Sequence, residues 1–504
     1  MRALLLVLLT AAPLALAAQE TSPYVPLDHW AMRYIEHLVS AGVINDPTPL
    51  TRPLKQRDVV RALSEVDSNA VSPSLRATIR RLLMEWQSVE RRPHYRVEGS
   101  VGAAAATQAV RDPLELDRGV PARRIDRRAF GNVGLDGQFL FGSFVGVTHP
   151  IVDTRLKYDP DWYASIDNST QFAEAYLSGQ WKLGELFFGI LARNWGPSGV
   201  QGVLLSDNPY SMDHLALTLG TAGIQLQTIA TQLNTLPEDT GSTRARVNRY
   251  MVQNRVWLHP HGRWTLALSA AAVISDVGRQ LEPWFLNPAT ISYFRAYGGN
   301  SNNFLGVDVE RRGASTLFGQ FMLDDIQVTR HATSDLKPAS YALTVGAKGR
   351  VRTAAATWLV FYTQVANLTY RNEDNLQVPL YFGLPTGRDF DDYDQATAKL
   401  SVLVRPALLL QPEMTVLRQG EGDPRLPHPL VPQYPTTAVL LQGVVERIVR
   451  LAIGTSWQLG SVSITGNGGV HFVSNLDHVL GVSKTRFVGS ISVTYRVHHQ
   501  DALP

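Results

Sequence analysis

Apolar and polar residues alternate along most of the chain between residues 95 and 497. In RFVGSISVTYRV (486–497), every second residue from Phe487 onward is apolar, aromatic or glycine, and most of the others are Ser, Thr or Arg. SVSITGNGGVHF (461–472) and QFAEAYLSGQWKLG (171–184) show the same period of two. Successive side chains of a strand point to opposite faces, so the pattern predicts strands with one apolar and one polar face. Such strands form either a soluble β-sandwich or a barrel with lipid outside and a wet lumen.

Three observations favour the barrel. The strand pattern continues for most of the 504 residues without an interposed helical pattern, and glycine and aromatic residues recur where the segments end. Polar segments long enough for external loops separate several strands: HATSDLKPASY, NEDNLQVPLYFGLPTGRDFDDYDQ and RQGEGDPRLPHPLVPQYPTTA. We therefore predict a mainly β protein, a transmembrane antiparallel β-barrel of about 16–18 strands over residues 95–497.

The first 18 residues have the composition of an export signal. Arg2 precedes an apolar run that ends in small residues around Ala15–Ala17, which is typical of a signal peptide removed after export. The chain lacks cysteine, so its stability is expected to come from its sheet, its core or a membrane. The 47 basic and 44 acidic residues are nearly balanced, and we expect no binding to nucleic acid.

Residues 22–92 show helical spacing instead. In DHWAMRYIEHLVSAGVI, Trp30, Tyr34 and Leu38 recur on one face, with Asp28 as the expected cap and Gly42 as the stop. PLKQRDVVRALSEV and SPSLRATIRRLLMEWQSVERR carry two further apolar stripes. The pattern predicts a small helical bundle before the barrel. Together, YVPLDHWAMRYIEHLVSAGVI and TRPLKQRDVVRAL resemble one S-layer-homology module, which as a single copy implies a periplasmic plug or docking domain.

No convincing catalytic motif is present. HPHG offers His259 and His261 as metal ligands, but a third ligand is not visible. The run RDFDDYD (388–394) lacks the internal glycine of a calcium loop, and we expect it to be a solvated loop. Asp324 and Asp325 are adjacent on a predicted strand and so point to opposite faces. We predict no enzymatic activity, no cofactor and no metal site.

The segment RNWGPSGVQGVLLSDNPYS (193–211) contains side chains that suit sugar binding. Planar polar groups can pair with vicinal hydroxyls, and an aromatic face can cover the apolar side of a pyranose. The candidates are Arg193, Asn194, Trp195, Asp207, Asn208 and Tyr210. The alternative is a folded loop in which Trp195 packs and the Asp and Asn side chains stabilise turns. GVLLS is expected to be a short strand, too brief to cross a membrane, so the segment is expected to fold inward.

The same segment resembles the Wzi-type capsule assembly family of outer-membrane proteins. The resemblance lies in Asn194-Trp195-Gly196-Pro197 and Leu204-Leu205-Ser206-Asp207-Asn208, and continues in FLNPATISYFRAYGGNSNNFLGVDVERRG and TLFGQFMLDD. It implies a barrel of about 18 strands with a small helical bundle on the periplasmic side. It also implies a lectin-like role, in which the protein holds capsular or extracellular polysaccharide at the cell surface without an enzymatic step.

Three functions remain open from the sequence. The first is a polysaccharide-binding lectin in the outer membrane of a Gram-negative-type bacterium, with outer-membrane lipids and the polysaccharide export machinery as further partners. The second is a porin for small hydrophilic or carbohydrate solutes, because one S-layer-homology-like repeat before a barrel also resembles carbohydrate-selective porins. The third is an outer-membrane lipid hydrolase, which requires a Ser and a His within hydrogen-bonding distance.

Overall fold

The computed structural model describes residues 21–86, 93–108, 111–114, 128–159, 162, 169–234, 247–260, 262–287, 289, 301–325 and 339–503. Twenty strands lie in these residues: β1 (His94–Ala106), β2 (Ala129–Phe141), β3 (Phe144–Asp153), β4 (Thr170–Trp181), β5 (Gly184–Leu191), β6 (Met212–Gly220), β7 (Ile224–Leu233), β8 (Val247–Leu258), β9 (Trp264–Val277), β10 (Ser301–Arg311), β11 (Ser315–Asp325), β12 (Ser340–Val351), β13 (Thr353–Val365), β14 (Leu380–Tyr381), β15 (Leu384–Pro385), β16 (Tyr393–Arg405), β17 (Leu408–Gln419), β18 (Glu446–Leu459), β19 (Val462–Ser474) and β20 (Ser483–Ala502).

Eighteen of these strands form one closed antiparallel barrel, which confirms the predicted fold class. Each barrel strand pairs with its neighbours along the chain, and β13 pairs directly with β16. The barrel closes where β1 pairs with β20, from His94 opposite Ala502 to Ala106 opposite Ser490. β14 and β15 form a separate two-stranded ladder in the connection between β13 and β16. Closure leaves no edge strand in the barrel with unpaired backbone groups.

The two ends of the barrel differ in the length of their connections. At one end the turns are brief, as at residues 142–143, 182–183 and 460–461, and we call it the short-turn end. At the opposite end lie connections such as 192–211 and 366–392, and we call it the long-loop end.

The predicted alternation between the two faces of the wall is confirmed. On β4, Leu177 is 66% exposed on the outside, whereas its neighbour Ser178 is buried inside. On β19 and β20, Phe472 and Phe487 face outward while His471 is fully buried. The outer wall is therefore apolar around the barrel and the inner wall is polar, as expected for a barrel surrounded by lipid.

Before the barrel, the described residues contain three helices: α1 (Trp30–Ser40), α2 (Gln56–Ser64) and α3 (Pro73–Glu85). The predicted Asp28 cap is wrong by one residue, because Nδ1 of His29 accepts the hydrogen bond from the backbone N–H of Ala31 at 3.3 Å. The predicted stop is confirmed at Gly42, which has a φ of +67°. At the start of α3, the hydroxyl of Ser72 accepts a hydrogen bond from the backbone N–H of Leu75. None of the helices in the described ranges is long and apolar enough to cross a membrane.

The helices lie in the mouth of the barrel at the short-turn end. Tyr34 of α1 donates its hydroxyl hydrogen bond to the carbonyls of Ala407 and Ser456, at 2.7 and 2.8 Å. Arg81 of α3 donates to the carbonyl of Gly460 in the turn between β18 and β19. The apolar core of the helices also includes Leu409 from β17. This helical unit therefore packs against the barrel wall and its turns.

Candidate functional site

Residues 193–211 enter the lumen from the long-loop end and return to it; we call them the lumen loop. Their two limbs meet where the N–H of Trp195 donates to the carbonyl of Leu205 at 2.9 Å. At the far tip, the N–H of Gly199 donates to Oε1 of Glu36 in α1 at 3.2 Å. The loop thus spans the lumen from β5 and β6 down to the helical unit, and the expectation of an inward fold is confirmed.

The short strand expected at GVLLS does not form. Instead, the carbonyl of Val203 accepts from the Tyr370 hydroxyl, and the carbonyl of Leu204 accepts from the Thr386 hydroxyl. The N–H of Ser206 donates to the carbonyl of Thr386 at 2.8 Å. The backbone of this stretch therefore forms hydrogen bonds with side-chain and backbone groups of the connection 366–392. The local sequence pattern of GVLLS could not predict these distant partners.

Asn194 stabilises the lumen loop from within. Its Nδ2 donates to the carbonyl of Val200 at 3.0 Å, and its Oδ1 accepts from the N–H of Gly202 at 2.7 Å. A Cβ at Gly202 would lie 2.3 Å from the carbonyl oxygen of Leu205, so this close approach requires glycine. Both ends of the Asn194 amide are therefore engaged inside the protein.

Trp195 packs in the centre of the lumen and is only 3% exposed. The guanidinium of Arg255 on β8 lies over its ring at 4.9 Å. Arg255 also forms an ion pair with Asp308 on β10, with Nη2 and Oδ2 2.7 Å apart. Gln320 on β11 joins the two groups, because its Nε2 donates to the carbonyl of Trp195 and to Oδ1 of Asp308. Three strands of the wall therefore hold this Trp in place.

Arg193 and Asn208 are also engaged by neighbouring groups. Nε of Arg193 donates to Nε2 of His214 at 2.7 Å, and the guanidinium lies over the ring of Phe187 at 4.6 Å. Nδ2 of buried Asn208 donates to the carbonyl of Pro385 at 2.9 Å. The cavity between Arg193, Tyr210 and His214 has a volume of about 10 Å³, which holds about one water molecule and not a sugar ring.

Tyr210 and Asp207 lie toward the long-loop end and are half-buried. The hydroxyl of Tyr210 donates to Oδ2 of Asp159 at 2.5 Å, and Trp162 meets its ring edge-on with centroids 4.5 Å apart. The guanidinium of Arg111 lies over the same ring at 4.1 Å. We call Arg111, Asp159, Trp162, Asp207 and Tyr210 the mouth cluster.

The mouth cluster combines charged, planar and aromatic groups from three connections. The side chain of Arg111 is 31% exposed, and its Nη2 donates to the carbonyl of Asn208 at 2.6 Å. Burial raises the pKa of Asp207 above its ordinary value, although Arg111 and Arg388 lower it in part. The sequence did not indicate Arg111, Asp159 or Trp162, because they lie in two other long connections that share no motif with the lumen loop.

The other sequence candidates that the structure describes contact neighbouring groups of the barrel. His259 is held by Thr265 and Arg312 at 2.7 and 2.9 Å, and His261 lies outside the described residues. Asp324 accepts from the N–H of Tyr370, which places it on the lumen side. Within the described ranges, no three His, Asp or Glu side chains are arranged to hold a metal ion.

The expectation that RDFDDYD is a solvated loop is wrong. Its four carboxylates are Asp389, Asp391, Asp392 and Asp394, and all are buried. Asp392 accepts hydrogen bonds from the backbone N–H groups of Gly422 and Gln442. Asp392 is buried because the connection 420–445 folds over it, and Asp394 is covered by Arg418 and Tyr362. Local composition does not reveal these long-range contacts.

Comparison with solved structures supports the fold. The chain is similar to Wzi of Escherichia coli, an outer-membrane protein involved in group 1 capsule assembly and described as a carbohydrate-binding β-barrel. The TM-score is 0.62 at 15% identity, over 96% of this chain and 100% of that one. At this identity the likeness establishes a shared barrel fold.

Two outer-membrane proteins align less well. OpdK of Pseudomonas aeruginosa has a TM-score of 0.45 at 9% identity, over 80% of this chain and 99% of that chain. The DcaP channel of Acinetobacter baumannii has a TM-score of 0.38 at 10% identity, over 80% of this chain and 96% of that chain. No protein-family model matches the sequence, and no curated protein matches it.

Proposed function

We propose that this protein is a lectin-like barrel of the outer membrane that binds capsular or extracellular polysaccharide and holds it at the cell surface. The observation that carries the proposal is the mouth cluster, in which Arg111 lies over the ring of Tyr210, Tyr210 donates to Asp159, and Asp207 is near enough for Arg111 to lower its pKa. The role requires binding without catalysis, which fits a site built from planar and aromatic groups.

The orientation follows from the connections. In outer-membrane barrels, short turns lie in the periplasm and long loops lie outside the cell. The helical unit at the short-turn end would then face the periplasm, and the mouth cluster would face the medium. An N-terminal export signal of residues 1–18, which lies outside the described residues, is consistent with this placement. The likeness of the helices to an S-layer-homology module stays a prediction.

The chemistry of the mouth cluster suits a glycan. A guanidinium presents paired donors and a carboxylate presents paired acceptors, and both match adjacent hydroxyl groups of a sugar. The partly exposed Arg111 and Asp207 supply these groups beside the ring of Tyr210. The lumen loop that presents Tyr210 is held in place by the contacts of Asn194, Trp195 and Asn208. These three residues therefore have a supporting role beneath the mouth cluster.

Two further observations support this proposal over a porin. The helical unit and the lumen loop both occupy the lumen and touch each other at Gly199 and Glu36, which disfavours steady passage of solutes. The similar barrel of Wzi is described as carbohydrate-binding. Components of the polysaccharide export machinery are partners that this role would imply.

The test is retention of polysaccharide by cells. A strain that lacks the gene is complemented with the wild type, Tyr210→Ala, Trp195→Ala or Asn208→Ala, and cell-bound and released polysaccharide are measured. We expect each variant to release more polysaccharide than the wild type, at equal amounts of folded barrel on a heat-modifiability gel. Tyr95→Ala, at the short-turn end, is the matched control and should retain polysaccharide. Equal retention by all variants would reject the proposed site.

A further inference from the structure

Two arginines stand directly opposite each other on the outer wall at the long-loop end. Arg418 of β17 and Arg447 of β18 are cross-strand partners, and both are exposed, Arg418 with 45% of its side chain. Like charges in this position destabilise a sheet unless a counter-charge lies between them. The counter-charge of Arg418 is Asp394, because Nε of Arg418 donates to Oδ1 of Asp394 at 2.9 Å. Arg447 forms no ion pair with any residue that the structure describes, so one positive charge is left over.

A row of polar side chains continues from this pair along the outer face. Tyr362 donates its hydroxyl hydrogen bond to Asp394 and to Gln364, at 3.1 and 3.2 Å. Gln364 in turn donates to the hydroxyl of Tyr341 at 2.8 Å. The row lies near the strand ends that join the long connections. Tyrosine and arginine at this height mark the level where the hydrocarbon of a membrane gives way to its headgroups.

An apolar groove of about 510 Å³ lies immediately below the row. It exists because small side chains alternate with larger ones across four strands. Ala347 lies beside Val360, Val360 beside Ala398, and Ala398 beside Met414. Val360 and Met414 are 42% and 50% exposed, so the groove opens outward. An open apolar depression across four strands beneath a cationic pair has the polarity that suits an acyl chain under an anionic headgroup.

We propose that this surface binds one molecule of lipid A, the phosphorylated and acylated glucosamine lipid of the outer leaflet. A phosphate between Arg418 and Arg447 would satisfy the surplus charge, since guanidinium groups bind phosphate with paired hydrogen bonds. One acyl chain occupies the groove. The occupant is lipid A rather than a glycerophospholipid because the arginine pair lies at the long-loop end. The inference rests on the orientation proposed above and not on polysaccharide binding.

The experiment measures lipid binding to purified, delipidated full-length protein in detergent by native mass spectrometry. Bis-phosphorylated lipid A is titrated, and we expect one molecule to be retained. Arg447→Gln and Ala398→Phe should each raise the Kd at least tenfold, the first by removing the phosphate contact and the second by filling the groove. Arg350→Gln at the short-turn end and Ala175→Phe on the outer face of β4 are the matched controls. Both control variants should bind as the wild type does, and all should show normal heat-modifiable mobility.

Three results would overturn the inference. They are wild-type affinity in Arg447→Gln and Ala398→Phe, a loss of affinity in the control variants as large as in these two, or phosphatidylglycerol binding as tight as that of lipid A and weakened by the same substitutions. Removing the lipid A phosphates should weaken binding as much as Arg447→Gln does. Polysaccharide binding is measured on the same preparations. We expect it to be unchanged by Arg447→Gln, so failure of the lipid site and failure of the glycan site give separate results.

Discussion

The backbones of Arg52 and Asn194 exchange two hydrogen bonds in the lumen. The N–H of Arg52 donates to the carbonyl of Asn194 at 2.8 Å, and the N–H of Asn194 donates to the carbonyl of Arg52 at 3.0 Å. Arg52 lies between α1 and α2, and its guanidinium is fixed by paired hydrogen bonds to Asp46. This bridge joins the helical unit to the lumen loop, so the two are expected to loosen together.

Arg255→Met tests the point where the helical unit, the lumen loop and the barrel wall meet. Arg255 binds Asp308 on the wall, stacks on Trp195 and donates to the carbonyl of Leu50 at 3.0 Å. Removing it leaves a buried carboxylate without its cation, which typically costs about 3–5 kcal/mol. We expect amide hydrogen exchange to show that the free energy of opening of residues 194–205 falls by this amount.

The matched control for that variant is Arg425→Met. Arg425 forms an ion pair with Asp423 in which both side chains are partly exposed, so its loss should change stability by less than about 1 kcal/mol. A double variant, Arg255→Met with Asp308→Leu, should regain part of the protection because no buried charge is left unpaired. Equal protection in Arg255→Met and Arg425→Met would refute the role of the ion pair.

Asn194→Ala should open the lumen loop locally. The variant leaves the N–H of Gly202 and the carbonyl of Val200 without their partner, and a buried polar group in that state costs about 1–3 kcal/mol. We expect limited trypsin digestion to cleave after Arg193 faster than in the wild type. The control is Asn69→Ala, at an exposed position between α2 and α3, which should be cleaved after Arg193 at the wild-type rate. Cleavage of Asn194→Ala at the wild-type rate would contradict a structural role for this amide.

The buried acidic run predicts a pH dependence. Burial raises the pKa of Asp392 from 3.8 to about 6, against hydrogen bonds from Gly422 and Gln442 that lower it. The folded state holds the proton of Asp392 more tightly than the unfolded state does. The contribution of Asp392 to the free energy of unfolding is therefore complete below pH 3.8 and is lost as the pH rises through 6. His478 lowers the pKa of Asp392 in part. A shift of this size corresponds to about 3 kcal/mol.

The measurement is hydrogen-exchange protection of residues 420–442 at pH 5 and pH 7, which should be higher at pH 5. Asp392→Asn resembles the protonated form and should lose the component with a midpoint near 6. Burial also raises the pKa of Asp391, near Arg371 and Asp423, so some pH dependence of the same sign should remain in the variant. Protection that rises from pH 5 to pH 7 would contradict the assignment.

The barrel should not behave as an open pore. The helical unit and the lumen loop meet inside it, so we expect no steady single-channel conductance when the wild type is placed in planar lipid bilayers. Arg255→Met should add brief openings, because it loosens the contact between the lumen loop and the wall. Stable, ohmic conductance of the wild type would support the porin alternative instead.

The barrel could be predicted because its signal is local. Each strand shows the alternation by itself, and Leu177 and Ser178 lie on the faces that their sequence positions imply. The inward fold of the lumen loop was also expected from a local feature, the brevity of GVLLS, although the short strand expected there does not form.

The contacts inside the lumen could not be predicted in the same way. Trp195 has an aromatic face that suits a sugar, yet in the structure that face meets Arg255, which lies on another strand. Tyr210 gained its partners from two other connections, at Arg111 and Asp159. Asp391 and Asp392 look solvated in sequence and are buried by a distant segment. These contacts depend on how the long loops fold together. The apolar–polar alternation and the composition of the sequence carry no information on how the loops fold.

The central claim is that the mouth cluster binds polysaccharide, and its most direct test is equilibrium binding to the purified barrel. The probe is the extracellular polysaccharide prepared from the bacterium that carries this gene, titrated calorimetrically. We predict saturable binding that Tyr210→Ala and Asp207→Asn each weaken at least tenfold, or by about 1.4 kcal/mol. Tyr95→Ala, together with Asp276→Asn at the long-loop end, should bind as the wild type does. Absence of saturable binding, or equal affinity in all four variants, would contradict the claim.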